Sequence, residues 1–329
     1  MPPSRPWPGP TARPGSASQA MRSKDGLSAA IRRRRRAALV VNTRSRRGRR
    51  LYSAVTTRLR AAGFDLLGTF PVGLPGELGA SLTAAIDLRP DLLIVGGGDG
   101  SIAEAARRLA CLDMALGILP LGTTNNFART LGIPLNLAEA TDVLVAGKVA
   151  DVDLGRANGT FFANLVSVGL SAYVAANVPH QLKRVAGRAA YPVTALAGLP
   201  RHRPFHARIT VGDQNYTVDT HQLNIANGSF HAGRPITGDA SADDRLLLVY
   251  PLGGPSRGTL VGATLRHAVF GARRTLAEPA FLAVSDLGLD TDPPLPLDVD
   301  GEIRGHTPAR ITLAANALRV MVEPGFPDT

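Results

Sequence analysis

Residues 91–106, DLLIVGGGDGSIAEAA, set an apolar run against a turn holding four glycines, Gly96, Gly97, Gly98 and Gly100, with one acid, Asp99, inside it. Glycine lets the backbone approach an anion without Cβ interference, and a helix opening near Ser101 turns its unpaired N–H groups and positive end toward the same point. That is the chemistry of a phosphate cradle. A carboxylate beside phosphates repels them unless a cation lies between, so Asp99 calls for a divalent ion such as Mg²⁺. A second stretch, residues 117–134, GILPLGTTNNFARTLGIP, repeats the arrangement: an apolar strand, a Pro-Leu-Gly turn, then Thr123, Thr124, Asn125 and Asn126 before a helix start. Each stretch taken alone is compatible with an ordinary turn or helix cap. Following successive apolar strands, they converge at the carboxyl edge of a parallel sheet, where such sheets gather ligands.

The surrounding pattern supplies that sheet. A strand at 37–41, a helix from about Arg50 to Ala62, a strand near 64–69, a helix from about Glu77 to Ile86 and a strand at 92–95 alternate as in an open parallel α/β sheet covered on both faces. This nucleotide-binding α/β domain is expected to span residues 37–150. From Asp151 the pattern becomes short alternating runs, VDLGRA, TFFANLVSV, FHARITVG, YTVDTHQLNIAN, RLLLVYPL, LPLDVDG and ARITLAA, which suit an antiparallel sandwich or barrel; a β-sandwich is expected over 151–329, the last residues returning to the first domain. Two helical insertions are expected in it, at about 171–199 and at 258–276; the second sets Arg266, His267, Arg273 and Arg274 among apolar positions, a pattern that suits either a membrane surface or ordinary packing.

Charge and cysteine content bound the function. Of 37 basic and 26 acidic residues, 14 basic and one acidic lie in residues 1–50, leaving 23 against 25 in the nearly neutral remainder. Residues 1–36, rich in Pro, Ser, Ala and Gly up to about residue 30, read as a disordered basic arm containing Met21, an alternative start; its Arg32–Arg36 block continues into Arg44, Arg46, Arg47, Arg49 and Arg50. A body without a basic face argues against specific nucleic-acid binding, whereas the arm suits an anionic membrane surface or plain solvation. The single cysteine, Cys111, forms no internal disulfide and reads as a buried structural thiol in a reducing compartment. No apolar run of membrane-spanning length occurs, so the expected place is cytoplasmic, at most peripheral to a membrane. The seven histidines lack zinc-like spacing, and oligomeric state, a homodimer included, is left open.

At this level the chain resembles the diacylglycerol kinase catalytic-domain family, in its bacterial lipid kinase branch related to sphingosine kinases. The residues that carry the resemblance are GGGDGS at 96–101 with Glu104, PLGTTNNFAR at 120–129, VNTRS at 41–45, FFANLVSVGLSA at 161–172, NGSFHAG at 227–233, DASADDRLLLV at 239–249 and DGE at 300–302. The resemblance implies an ATP- and Mg²⁺-dependent kinase that phosphorylates a lipid hydroxyl at a membrane surface. It implies Asp300 as general base, with Glu302 beside it toward metal or phosphate and Asp99 in the same centre. Nucleotide contacts are implied at Asn42, Thr43, Arg44, Ser45, Arg46, Thr69, Gly97, Gly98, Asp99, Gly100, Ser101, Ile102, Ala103 and Thr123. A structural Mg²⁺ is implied at Asp244, with carbonyls of Ser241 and Leu246. By itself an Asp-Gly pair is a common hairpin turn.

The chain departs from the family at Thr43 for Pro, Arg46 for Gly, Ser101 for Thr, Asn126 for Asp and Arg245 for Gly; if position 245 requires positive φ, the arginine there is strained. Two other readings stay open: a soluble-substrate kinase related to NAD kinases, which carry similar GGDG turns, and a non-catalytic nucleotide or lipid binder.

Overall fold

The computed structural model describes residues 21–177, 203–228, 230–231, 234–235, 245–251 and 282–327. The first lobe runs α1 (Lys24–Arg34), β1 (Arg36–Asn42), α2 (Arg46–Ala61), β2 (Asp65–Val72), α3 (Glu77–Asp87), β3 (Leu92–Gly97), α4 (Asp99–Leu109), β4 (Ala115–Pro120), α5 (Asn126–Thr130), α6 (Leu137–Ala146) and β5 (Lys148–Ala157). The second runs β6 (Thr160–Phe162), β7 (Leu165–Gly169), α7 (Leu170–Asn177), β8 (Phe205–Val211), β9 (Gln214–Thr220), β10 (Gln222–Asn227), β11 (Phe230–His231) and β12 (Arg234–Pro235). It closes with β13 (Leu247–Pro251), β14 (Leu282–Val284), β15 (Asp286–Asp292), β16 (Pro296–Val299), β17 (Glu302–His306) and β18 (Ala309–Val322).

Strands β2, β1, β3 and β4 pair in parallel in that spatial order. Every residue of β3 and β4 is buried, as central strands covered by helices on both faces require. Among the described residues this sheet grows to ten strands, because β18 adds beside β4 and carries β15, β8 and β9 beyond it, with β5 and β6 branching off. A second, six-stranded sheet in the order β14, β13, β10, β7, β16, β17 faces the far half of the first. Val166, Val168, Leu223, Ile225, Leu297 and Val299 from one sheet meet Ala207, Ile209, Leu287, Leu289 and Ile311 from the other in a sandwich core. The architecture is the expected one, a parallel α/β sheet followed by an antiparallel sandwich.

Strand β18 belongs to both lobes. Before Ala314, β18 pairs with β15 and the end of β5; after Leu318 it pairs in parallel with β4. The register slips between those two residues, where Asn316 takes φ 54° and donates its N–H to the buried Asp153 carboxylate at 2.8 Å. Such a bulge bends a strand and raises its twist, which lets the chain turn from one lobe into the other. Strand β5 runs across the expected boundary at Ala150, with Val149, Ala150, Val152 and Leu154 in the first core and Ala157 in the second.

Several expectations are corrected. Residues 24–34 are not a disordered arm but helix α1, which buries Leu27, Ser28, Ala30 and Ile31. Its Ser23 cap accepts the Gly26 N–H at 3.1 Å, while Asp25 in the first turn and Arg32, Arg33 and Arg34 in the last oppose the dipole correctly. Ahead of it Arg22 is clamped between Asp91 at 2.6 Å and Asp113 at 2.7 Å. The Arg block is therefore not one patch. Strand β1 separates Arg32–Arg36, at the amino edge of the sheet, from Arg44–Arg50 at its carboxyl edge by about 20 Å, at 3.3 Å per strand residue. Cys111 is exposed, not buried, because α4 ends at Leu109 and Cys111 sits in the following turn at φ 61°. Of the two helical insertions, α7 is the described start of the first; the rest of it and all of 258–276 lie outside the described residues. None of the described helices is long and apolar enough to cross a membrane.

If α1 is part of the fold, Leu27→Ala, at a site with no exposed surface, lowers unfolding free energy by about 2–5 kcal/mol in denaturant titration. A free arm would leave the midpoint where it was.

Candidate active site

The two glycine loops are built against each other. Leu121 and Gly122 N–H groups both go to the Gly97 carbonyl, at 2.9 and 3.1 Å. A Cβ on Gly122 would stand 2.4 Å from Gly98 Cα, which leaves no room for a side chain there, and one on Gly98 would stand 3.2 Å from Gly122 Cα, a contact the loop must yield to accommodate. Asn125, at φ 49°, accepts the Gly122 N–H on Oδ1 and donates Nδ2 to the Gly122 carbonyl, both at 3.0 Å, which folds the second loop upon itself. Gly100 differs. A Cβ there meets nothing within 4 Å, because the residue is exposed on the first turn of the helix.

Helix α4 opens at Asp99, capped by Gly98, two residues earlier than expected. Asp99 accepts the Thr124 hydroxyl at 2.6 Å on Oδ2 and the Asn126 N–H on Oδ1, tying the first loop to the second. Asn42, ending β1, donates Nδ2 to the buried Ser101 hydroxyl at 3.0 Å and accepts the Arg44 N–H on Oδ1, so the first basic loop abuts the cradle. Ser45 caps α2 through the Gly48 N–H at 2.9 Å, Thr43 donates its hydroxyl to the Val72 carbonyl, and Arg44 and Arg46 are exposed. Ile102 and Ala103 turn their side chains into the protein and can meet a ligand only through backbone. Thr123 is exposed beside Thr124. Thr69 does not end its strand: β2 continues to Val72, leaving Thr69 about 10 Å short of the carboxyl edge by strand rise.

The opposite wall comes from the second lobe. Val299 pairs with Glu302, so Asp300 and Gly301, at φ 51° and 90°, form a two-residue hairpin with both centres left-handed, as a type I′ turn requires. The Asp300 carboxylate folds back onto the β6–β7 connection, taking the Ala163 N–H on Oδ2 at 2.7 Å and the Asn164 and Leu165 N–H groups on Oδ1 at 2.9 and 3.0 Å. Those amides are themselves held, because the buried Asn227 donates Nδ2 to the Asp153 and Ala163 carbonyls. A carboxylate offers about four acceptor sites, so one, on Oδ2, remains after these bonds. Burial of the carboxyl raises its pKa above the ordinary aspartate range, against the pull of the three amides and of the Arg107 charge.

Asp99 and Asp300, 201 positions apart in sequence, line one cavity of ≈ 260 Å³ together with Thr124, Asn126, Asn164, Leu165, Ser167, Ser171, Asp298 and Gly301. Glu302 is not among these residues. The hairpin turns its carboxylate outward, where it pairs with Arg304 at 2.6 Å. Glu104 holds Arg107 at 3.0 Å and Arg108 at 2.7 Å and lies 3.9 Å from Arg304, a link between the lobes. Among the described residues the lining carries three carboxylates and no basic group, a set that suits a divalent cation shared with phosphates, since Mg²⁺ is commonly held by one or two carboxylates plus phosphate and water. Among the described residues no group of three or more acids, histidines or cysteines is placed to hold a metal ion by itself. Ser241 and Asp244 lie outside the described residues, while Leu246 is exposed. Arg245 has φ 60°, so the position does demand the left-handed region, at a cost of about 1–2 kcal/mol for a residue with Cβ. Sequence reasoning passed over Asp298, whose signal was available: in LPLDVD two acids alternate with apolar Leu297 and Val299, so both leave the core on one face.

Comparison with known proteins finds two family models in succession, a diacylglycerol kinase catalytic domain over residues 36–157 and a YegS C-terminal NAD kinase beta sandwich-like domain over 164–322. A "Probable lipid kinase YegS-like" of Pseudomonas fluorescens is 34% identical over 307 residues, 89% of this chain and 97% of that protein. One of the same name from Pseudomonas aeruginosa is 34% identical over 238 residues, 71% of this chain and 78% of that protein. A crystal structure described as a diacylglycerol kinase from Bacillus anthracis aligns with a TM-score of 0.70 at 27% identity, covering 88% of this chain and 97% of that one.

The contrast between the glycines is testable by stability alone. Gly122→Ala must force the loops apart and is expected to cost about 1–3 kcal/mol, whereas Gly100→Ala, in open space on a helix, should match or slightly exceed the wild type. Equal thermal shifts for both would contradict the packing described.

Proposed function

We propose, from the premise that this chain belongs to the diacylglycerol kinase catalytic-domain family in its YegS-like lipid kinase branch, that it transfers the γ-phosphoryl group of ATP to a lipid hydroxyl with Mg²⁺. The observation that carries this reading is the shared cavity: Asp99 on one lobe and Asp300 on the other line the same space. Phosphoryl transfer needs the phosphates held, their charge neutralised and the attacking hydroxyl relieved of its proton. Gly98, Gly100 and the start of α4 hold the phosphate chain, with Asn42 of β1 bracing the cradle through Ser101 of α4. Asp99, fixed by Thr124 and Asn126, bounds the side where a divalent ion would sit; when bound, that ion supplies charge neutralisation on the phosphate oxygens.

Asp300 acts as general base. Its remaining Oδ2 acceptor site takes the proton of the acceptor hydroxyl, and burial makes it a stronger base than a surface aspartate. The three backbone amides fix the carboxylate so that its free lone pair has one direction. The exposed Arg44, Arg46, Arg47, Arg49 and Arg50 lie at the same carboxyl edge of the sheet as the cradle, which supports docking of this edge on an anionic membrane surface where a lipid acceptor resides.

Incubation with labelled ATP, Mg²⁺ and a lipid panel tests the reading; label confined to a water-soluble product would point instead to a soluble acceptor. Asp300→Asn keeps a residue suited to the left-handed turn but removes the base. It should lower kcat by about 10²-fold or more, with ATP affinity preserved in a direct binding titration. Wild-type turnover in that variant would remove Asp300 from the chemistry.

The pH profile follows from the sign of the shift. Because Asp300 must be ionised to accept a proton and its folded pKa lies above the ordinary value, activity should fall on acidification earlier than a surface aspartate would dictate. Arg107→Gln removes a charge that favours the ionised form and should move this acid limb further upward. An acid limb that stays put in Arg107→Gln would break the link.

A further inference from the structure

Helix α4 carries Asp99 in its first turn and Glu104 about one and a half turns further on, with the Glu104 side chain only 17% exposed. Glu104 takes Arg107 on Oε2 at 3.0 Å and Arg108 on Oε1 at 2.7 Å, both from its own helix. A third cation reaches it from the other lobe. Arg304 lies on β17, four residues after Asp300, and its Nη2 stands 3.9 Å from Glu104 Oε2 while bonding Glu302 Oε2 at 2.6 Å. One guanidinium thus stands between a carboxylate of the cradle helix and a carboxylate of the hairpin that bears the proposed base.

That hairpin has reason to need such a tie. Strand β17 ends its sheet, pairs with β16 on one side, and is exposed at all five of its residues. The three amides that hold the Asp300 carboxylate belong to residues 163–165 of the same lobe, so they fix its direction within the sandwich without referring it to the cradle. The Arg304 to Glu104 contact does refer it. Glu104 has a second bearing on the base, because Arg107, whose charge reaches Asp300, is partly neutralised by it. Arg107 also keeps a buried Nη1 that has no hydrogen-bond partner among the described residues, so its charge is not fully taken up by Glu104.

We propose that Arg304 is a positioning residue for phosphoryl transfer: shared between Glu302 and Glu104, it holds the Asp300 hairpin against the cradle helix and keeps Glu104 from neutralising Arg107 in full. This rests on the lipid kinase reading and adds to it a coupling, by charge, between the wall that holds phosphate and the wall that takes the proton.

The coupling has a sign. Among the described residues, the titratable groups on the elements around Asp300 are Asp298 on β16, Glu302, Arg304 and His306 on β17, Asp99, Glu104, Arg107 and Arg108 on α4, and Tyr173 on α7. Of these it is Arg107 that favours the ionised base, against the effect of burial. Without Arg304, Glu104 pairs more fully with Arg107 and Glu302 loses its counter-charge, so both changes weaken the positive field and the acid limb of activity rises. Without the Glu104 charge, Arg107 acts unopposed and the limb falls.

The test uses the full chain with labelled ATP, Mg²⁺ and mixed micelles containing, in turn, a diacylglycerol, a monoacylglycerol and a sphingoid base; the acceptor that wild type labels is kept for the variants. Arg304→Gln should lower kcat about 2- to 5-fold, the size of a partly exposed ion pair, with ATP affinity by direct titration within about twofold and an unchanged melting temperature. Its acid limb should move to higher pH, whereas Arg304→Lys, which keeps the charge, should leave the limb in place. Glu104→Gln should also lower kcat but move the limb to lower pH, and it reads the coupling if Arg304→Gln fails to fold. Wild-type kcat in Arg304→Gln, or acid limbs that stay put or move the same way in Arg304→Gln and Glu104→Gln, would overturn the proposal. Wild type that labels no lipid at all would instead overturn the kinase reading on which it stands.

Discussion

Asp153 holds the two lobes in relation. Its carboxylate accepts the Asn316 N–H at the bulge where β18 leaves one lobe for the other, and its carbonyl accepts Asn227, which also grips the Ala163 carbonyl. Ala163 in turn donates its N–H to Asp300. A short hydrogen-bonded chain thus runs from the shared strand to the proposed base, and its middle members Asp153, Asn227 and Ala163 are buried. The cavity depends on it, because Asp99 belongs to the parallel sheet and Asp300 to a hairpin of the sandwich, and the bent strand, with β5 beside it, relates them.

The cradle side works by exclusion of side chains. Gly98 and Gly122 let two loops touch at backbone distance, and Asn125 and Asp99 stitch what the glycines bring together. The loops present N–H groups and hydroxyls in a compact arc, and among the described residues the cavity lining holds no basic side chain. Positive charge stands around it: Arg107 through space toward Asp300, and the Arg44–Arg50 segment along the rim. An acidic cavity inside a cationic margin suits a reaction in which phosphate oxygens, a divalent ion and a neutral or cationic acceptor meet beside an anionic surface.

The ion pairs divide by position. Arg22 and Arg319 join Asp91, Asp113 and Asp151 at the amino edge of the sheet, far from the cradle, where partly buried pairs anchor the start and end of the chain to each other. Glu104 with Arg107, Arg108 and Arg304 sits between the lobes and bears on the site. The exposed Arg304 to Glu302 pair is of the kind that contributes little to stability, and its consequence is directional: it keeps Glu302 outside the cavity.

What the sequence by itself determined is what local chemistry dictates. The glycine turn with Asp99, the Thr-Asn loop, the Asp-Gly hairpin and the change from strand-helix alternation to short strands were legible because each rests on neighbours a few residues apart. Helix α1 was hidden by its arginines: the apolar pair Leu27 and Ile31, one turn apart, was submerged in charge that proved to be a capped helix end. Cys111 and Thr69 were misjudged by two or three residues of element length, enough to expose one and withdraw the other from the edge. Only the tertiary structure decided that Glu302 turns away while Asp298 turns in, and that Arg304 of one lobe comes beside Glu104 of the other. Which face a strand residue takes, and which side chains stand opposite it, is set by register with strands far along the chain, and a single sequence carries no local trace of that pairing.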